Sequence, residues 1–289
     1  MVESSVFPAT LAQQQGWVIQ LLSGVERIAP EHQLAGQQPD NLCGPYWVAT
    51  LLRSHGFPNL TPEQVAQSAN SVLPIGDPAT WLPQGVPSRQ DYSLALPETA
   101  DLRAAGTSVQ GLAAAVEGLS NYAYTVVPLR AEWTPDRLEA LLQLCHNHPG
   151  WNAVPLCNLS TRPLWGSRLA VSQAIAYLSG EPITPPPPDW SVGHFLALAG
   201  TVTGKERSLL IACDTYPQFG WQGYHLQSAE ALAQALNRGD GTEGGILLFV
   251  ASGDREQVVQ QAKLAGFTIE LWDNGSPQHR LTSAMIAES

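Results

Sequence analysis

The sequence predicts an α+β fold. Helix signals with recognisable caps dominate the first two-thirds, a proline run stands at Pro185–Pro188, and apolar runs joined by short turns follow it. Helices first and an antiparallel sheet afterwards is the α+β order.

The first element expected is a helix from about Gly44 to His55. Pro45 suits the opening turn, where its missing N–H costs nothing. Trp47, Val48, Leu51 and Leu52 form one apolar face, and Gly56 fits the stop. A second helix begins at Thr61, where Thr61-Pro62-Glu63-Gln64 combines a capping hydroxyl, an early proline and a capping-box glutamine. Residues 74–107 are rich in Pro, Gly and Ser and read mainly as loop. A helix follows from Thr107-x-x-Gln110 to about Gly118, then an alternating strand over Tyr122–Leu129 and a helix from Thr134-Pro135 to about Cys145. Ala153–Leu159 reads as a strand and Leu169–Ser179 as a helix ended by Gly180. Four consecutive prolines exclude both helix and central strand, so Pro185–Pro188 is a stiff extended connector. Beyond it, His194–Val202 and Ser208–Cys213 flank a short turn around Gly204. Tyr224–Leu226 continues the sheet, Ser228 caps a helix to about Leu236, and Gly245–Val250 is a buried strand. Gly253–Gly266 (helix) and Phe267–Trp272 (strand) form a small final unit, which either mediates an interaction or covers a sheet edge, the second reading slightly favoured.

Composition narrows the function classes. Of 289 residues, 44% are hydrophobic and 13% charged, against roughly 25% charged in ordinary globular chains. That excludes a highly charged disordered polymer, and the 25 glycines and 23 prolines imply many loops. The formal net charge of −11, without a Lys or Arg run, argues against nucleic acid as a partner. No apolar stretch is long enough for a membrane span. The start, MVESSVFPATLAQQQGW, lacks the basic-then-apolar pattern of a secretory leader. Four cysteines (Cys43, Cys145, Cys157, Cys213) are too few for a disulfide framework in this length. A reducing, cytoplasmic location is expected.

The segment Gln37-Gln38-Pro39-Asp40-Asn41-Leu42-Cys43-Gly44-Pro45 sets a cysteine at the start of an amphipathic helix. Free N–H groups and the positive dipole end favour a thiolate there and offer donors to an oxyanion. The plain alternative is a buried, inert cysteine that only begins a helix. Two features weigh against it. Gln37, six positions earlier, can supply a side-chain amide to an oxyanion. His194 opens an apolar strand and, with the turn centred on Gly204, faces Asp214 across the hairpin; a slip of one residue would turn the carboxylate to the other face. Asp214 would then hold one imidazole nitrogen and leave the other for Cys43.

These residues resemble a family. Gln-x5-Cys-Gly-Pro before an apolar helix is similar to the start of papain-like cysteine peptidases, closest to the bacteriocin-processing double-glycine branch. His194-Phe-Leu-Ala-Leu-Ala-Gly, Asp214-Thr-Tyr216 and Trp221-Gln-Gly223-Tyr224 resemble the later catalytic strands. The resemblance covers 37–56 and 191–236. It implies a papain-like fold, Cys43 as nucleophile, His194 as general base, Asp214 as orienter and Gln37 as oxyanion donor. Cys43 and His194 lie 151 positions apart, more than compact members of that branch need. The expected division is therefore a core from 1–56 and 191–250, an inserted helical and loop-rich subdomain at 57–190, and an appended unit at 251–289.

Other candidates carry less. Cys145, His146, His148 and Cys157 lack paired zinc spacing, and His146 and His148 fit a helix C-terminus instead. Cys213 should point away from Asp214 into the core, as should Trp47. Trp190, Gly193 and Trp221 flank the site and are candidates for a substrate groove. No metal or cofactor is expected. The chemistry expected is attack of Cys43 on the carbonyl of a peptide or small amide, giving a thioester that water resolves. Transfer to an amine is the enzymatic alternative, and a non-catalytic peptide-binding module the alternative of another class.

Overall fold

A computed structural model describes residues 16–277. Residues 1–15, which carry most of the expectation about a secretory leader, lie outside the described residues. Among the described residues no helix is long and apolar enough to cross a membrane.

The fold is α+β: helices lead, and a mainly antiparallel sheet with interspersed helices follows. Strand β1 (Val18–Leu21) and helix α1 (Ser23–Ala35) precede α2 (Cys43–Ser54) and α3 (Pro62–Ser68). Helix α3 carries the expected reciprocal cap, with Gln64 N donating to Thr61 Oγ1 and Thr61 N to Gln64 Oε1. A short parallel pair, β2 (Leu73–Pro74) and β3 (Glu98–Thr99), pins the long loop region. Helix α4 (Val109–Leu119) is capped by Ser108, one residue later than the sequence implied.

The main sheet is completed by β4 (Tyr124–Arg130), β5 (Val154–Ser160), β6 (Gly193–Thr203), β7 (Ser208–Cys213), β8 (Tyr224–Gln227), β9 (Gly245–Ala251) and β10 (Thr268–Ile269). Its order is β10-β4-β9-β5-β6-β7-β8, with β1 added on β6. Helices α5 (Pro135–Asn147), α6 (Val171–Leu178), α7 (Ala229–Asn237) and α8 (Arg255–Leu264) lie between the strands in sequence.

That strand order redraws the expected division of the chain. Strands β4 and β5, assigned to an inserted subdomain, sit inside the main sheet, and β5 pairs directly with the His194 strand. The final segment is equally integral: β10 pairs with β4, and Trp272 is buried in the core. The physical reason is burial. All seven residues of β5 are buried, which requires partners on both edges and cover on both faces.

Helix α2 is buried almost all round, with Trp47, Val48, Leu51 and Leu52 at 0% exposure. Trp47 Nε1 donates to the carbonyl of Phe195 at 3.1 Å. Cys43 lies four residues before Trp47, on the same helical face, so this bond carries Cys43 to the start of β6.

Strands β6 and β7 pair from Thr203↔Ser208 to Gly200↔Ile211. The register then slips by one residue, and Leu198 meets Ala212. Ala199 is the extra residue, and its carbonyl accepts from Leu22 N at 2.9 Å. A β-bulge of this kind shifts all later side chains relative to the partner strand.

Candidate functional site

The bulge decides where Asp214 points. Continuing the register beyond Ala197↔Cys213 sets Asp214 across from Leu196, which shares a strand face with His194. The two are thus diagonal neighbours and not the directly facing pair expected from the sequence. The diagonal remains within reach of an imidazole: His194 Nε2 donates to Asp214 Oδ1 at 3.1 Å. The remaining nitrogen, Nδ1, is left free by Asp214, and Cys43 lines the same cleft as the ring and helps to raise its pKa.

Both partners are almost fully buried, His194 at 1% and Asp214 at 2% exposure. Burial opposes the charge on His194, but the Asp214 carboxylate and the neighbouring Cys43 outweigh it and push the imidazole pKa up to about 10. Burial likewise opposes ionisation of Asp214, yet His194, and after it His225, hold the carboxyl well below its usual range. The Asp214 carboxylate therefore favours the protonated form of the ring, and the ring favours the ionised carboxylate.

Three further groups fix Asp214. Its Oδ1 also accepts from Thr215 Oγ1 and Tyr216 N, each at 3.3 Å. His225 Nδ1 accepts from Gln227 Nε2 at 2.9 Å, which places the His225 proton on Nε2, 3.8 Å from Asp214 Oδ2. On the backbone side, His32 Nε2 donates to the Asp214 carbonyl at 2.7 Å. His32 also stacks on Trp47, with ring centroids 5.2 Å apart. The loop before Cys43 is fastened to the same turn, because Gln38 N donates to Thr215 O and Thr215 Oγ1 to Gln38 Oε1.

Not every expected residue joins this group. Gln37 is buried but lies outside the wall of the cleft that opens on Cys43. Its amide nitrogen donates to Pro87 O at 2.7 Å and its oxygen accepts from Gln218 Nε2 at 2.8 Å. One amide hydrogen remains. The N–H groups of the first turn of α2 are closer at hand as oxyanion donors. Trp190 packs edge-on against His194, with centroids 4.8 Å apart. Gly193 lines the cleft. Trp221 does not: it sits in a tight turn pairing with Tyr224, where Gln222 and Gly223 take positive φ, and its side chain is 53% exposed.

The cleft encloses about 680 Å³ between the start of β6, the 102–107 segment and the turn after α7. A groove of about 790 Å³ elsewhere, near Tyr177 and Glu230, contains no cysteine. Sequence reasoning missed Asn158 and Arg238, which line the cleft, and Asp40, which anchors the loop before Cys43. Asp40 is fully buried and accepts from Ser88 Oγ at 2.6 Å and Arg89 N at 2.9 Å, which lashes the long loop down beside Cys43. The only sequence signal for it is a carboxylate three residues before the cysteine.

All four cysteines are free thiols. Cys145, Cys157 and Cys213 are buried, and burial pushes the Cys145 thiol up to about 12. Cys43 alone is partly accessible. Among the described residues, no group of three or more His, Cys, Asp or Glu could hold a metal ion.

Chemically, the arrangement joins a partly accessible sulfur, the positive end of a helix and a buried imidazole oriented by a carboxylate. Such a set can exchange a proton between sulfur and ring and stabilise an oxyanion. No curated protein matches the chain. A family model matches residues 22–273, and the chain belongs to that family of unknown function, DUF6885.

Proposed function

We propose that the protein is a cysteine-dependent peptidase or amidase acting through a thioester on Cys43. The observation that carries this reading is the bond from His194 Nε2 to buried Asp214, which leaves Nδ1 for a cysteine at a helix N-terminus. Four buried polar contacts around one carboxylate are more than a cysteine that merely starts a helix needs. The arrangement is also what the resemblance to papain-like peptidases, and to their double-glycine branch, implies.

In the proposed reaction Cys43 gives its proton to His194 Nδ1, the resulting thiolate attacks the amide carbonyl carbon, and the C–S bond forms as the carbonyl oxygen takes negative charge. The first N–H groups of α2 hold that oxygen. His194, protonated, gives its Nδ1 proton to the leaving amine as the C–N bond breaks. Water then loses a proton to His194 and attacks the thioester carbonyl, and the C–S bond breaks to free the acid. Asp214 keeps the ring in place throughout. The free thiols support a reducing, cytoplasmic setting for this chemistry.

The test is intact-mass detection of an acyl adduct on Cys43 with a peptide panel. The adduct should form in the parent protein and be absent in Cys43→Ala. His194→Ala should slow iodoacetamide alkylation of Cys43 near neutral pH by tenfold or more, roughly the scale of general-base assistance. Equal alkylation rates in the two proteins would remove the pairing, and a Cys43 no more reactive than free cysteine would leave a non-catalytic binding module. An adduct discharged by added amines faster than by water would instead mark a transferase.

A further inference from the structure

The cleft beside Cys43 differs in charge from the rest of the molecule. Apart from Cys43 and His194 themselves, its charged wall residues are Arg103, Arg238 and Asp240, a local balance of +1, whereas the chain as a whole carries −11. A positive cleft in a negative protein draws anions to one place.

Arg238 is the better built of the two cations. Its side chain is only 5% exposed. It ends α7 with a φ of 47°, a left-handed conformation that residues other than glycine seldom adopt. Nε and Nη2 donate to Asp240 at 3.1 and 2.6 Å. Asp240 is itself held by Thr242 N and Oγ1. One edge of the guanidinium is thereby fixed, and Nη1 has no acceptor among the described residues. The fork lies against Gly193, the residue before His194. A Cβ on Gly193 would stand 3.1 Å from Nη2 and 3.6 Å from Nη1.

Asn158, 2% exposed, also lines the cleft. Its Oδ1 accepts from Trp272 Nε1 at 3.1 Å. Indole is a donor only, so this bond fixes the orientation of the amide. The Asn158 Nδ2 then stands as a donor without an acceptor among the described residues. Asn158 pairs with Phe195 on β6, so both donors flank the backbone around His194.

We propose that this cleft binds a carboxylate of the substrate through the Arg238 fork and the Asn158 amide, so that Cys43 acts on amides bearing an acidic side chain or free chain terminus close to the scissile bond. The inference rests on the reading of Cys43 as nucleophile. Two directed donors, one of them charged, form the arrangement that recognises a planar anion. Asp240 is a positioning residue here: it aims the guanidinium and does not touch the substrate.

The experiment uses paired alkylating probes: N-iodoacetylglycine and N-iodoacetyl-β-alanine against their carboxamides. In each, the Cys43 sulfur forms a C–S bond and iodide leaves. Labelling rates are read by intact mass and normalised to each protein's own iodoacetamide rate. In the parent protein at least one carboxylate probe should label roughly tenfold or more faster than its carboxamide, and Arg238→Gln should abolish that preference. A measurement without any variant stands beside it: succinate should protect Cys43 from iodoacetamide and succinamide should not. Equal rates within both pairs together with no succinate protection, or a preference that survives Arg238→Gln, would overturn the inference while leaving the nucleophile intact. If iodoacetamide itself labels Cys43 no faster than free cysteine, the nucleophile reading fails, and this proposal with it.

Discussion

Replacing Asp214 with asparagine keeps the shape of the site and an acceptor for His194 Nε2, but removes the charge. At the observed 3.1 Å and an effective dielectric of about 20, the imidazolium and carboxylate attract by about 5 kcal/mol. Desolvation of the two ions offsets part of this, and breaking a buried pair by removing one partner costs about 3–5 kcal/mol. Asparagine retains a hydrogen bond, so a loss of about 3 kcal/mol is expected at the pair's optimum. The pH window follows from the two shifts. His194 is raised from 6.5 to about 10, so its contribution is complete below 6.5 and fades as pH rises through the folded value. Asp214 is lowered from 3.8, so its contribution is complete above 3.8 and is lost as pH falls through the folded value. The stability gap between parent and Asp214→Asn should therefore be largest between pH 3.8 and 6.5. It should shrink toward pH 10. Urea unfolding across that range measures the gap, and the His194 ring resonances follow the proton directly. In Asp214→Asn the carboxylate no longer offsets burial, and the His194 pKa should fall. A His194 that titrates near 6.5 in both proteins, or a gap that widens with alkaline pH, would refute this account.

Three other outcomes are expected. Gly200→Ala would place a Cβ 2.1 Å from the Gln20 carbonyl at a φ of 150°. It should cost about 2–4 kcal/mol and speed hydrogen exchange across β1, with a parent-like exchange pattern as the contrary result. Asp40→Ala would strand the Arg89 N–H and the Ser88 hydroxyl. A loss of about 2–3 kcal/mol should come with faster limited proteolysis within 77–92, and an unchanged cleavage map would remove Asp40 as the anchor. Gly44→Ala brings a Cβ to 2.7 Å from Leu112 Cδ1, the end of a flexible side chain. It should therefore cost less than Gly200→Ala in the same urea assay, and the reverse order would fault the close-approach argument.

Local signals were legible and long-range ones were not. The helix begun by Cys43 could be read because Pro45, an apolar stripe and Gly56 agree, and the Thr61 cap because its two bonds are three residues apart. Helix α1 could not: Leu22 gives no side-chain cap, and Pro30 lies inside the helix, where it normally signals a break. Packing of Val25 and Ile28 into the core offsets that local cost. Strands β4 and β5 were recognised as strands, but their place in the main sheet depends on β9, about 90 or more residues later in the chain. Arg238 and Asn158 come to the cleft from a helix end and a central strand, and nothing in their neighbourhoods marks them.

The pairing of His194 with Asp214 was legible for a reason the sequence did not contain. A turn centred on Gly204 implies strands in which residues 194 and 214 share a face. The real hairpin closes as Thr203↔Ser208, which on its own would turn Asp214 to the opposite face. The extra residue at Ala199 reverses that parity a second time. Gly200 gives the bulge its φ of 150°, and Leu22 N satisfies the Ala199 carbonyl. The first strand and the turn into α1, the region least visible in the sequence, are therefore what bring the carboxylate to the histidine. A substitution at Gly200 should accordingly be felt at Cys43, through loss of the His194–Asp214 bond, although nothing at position 200 touches the cleft.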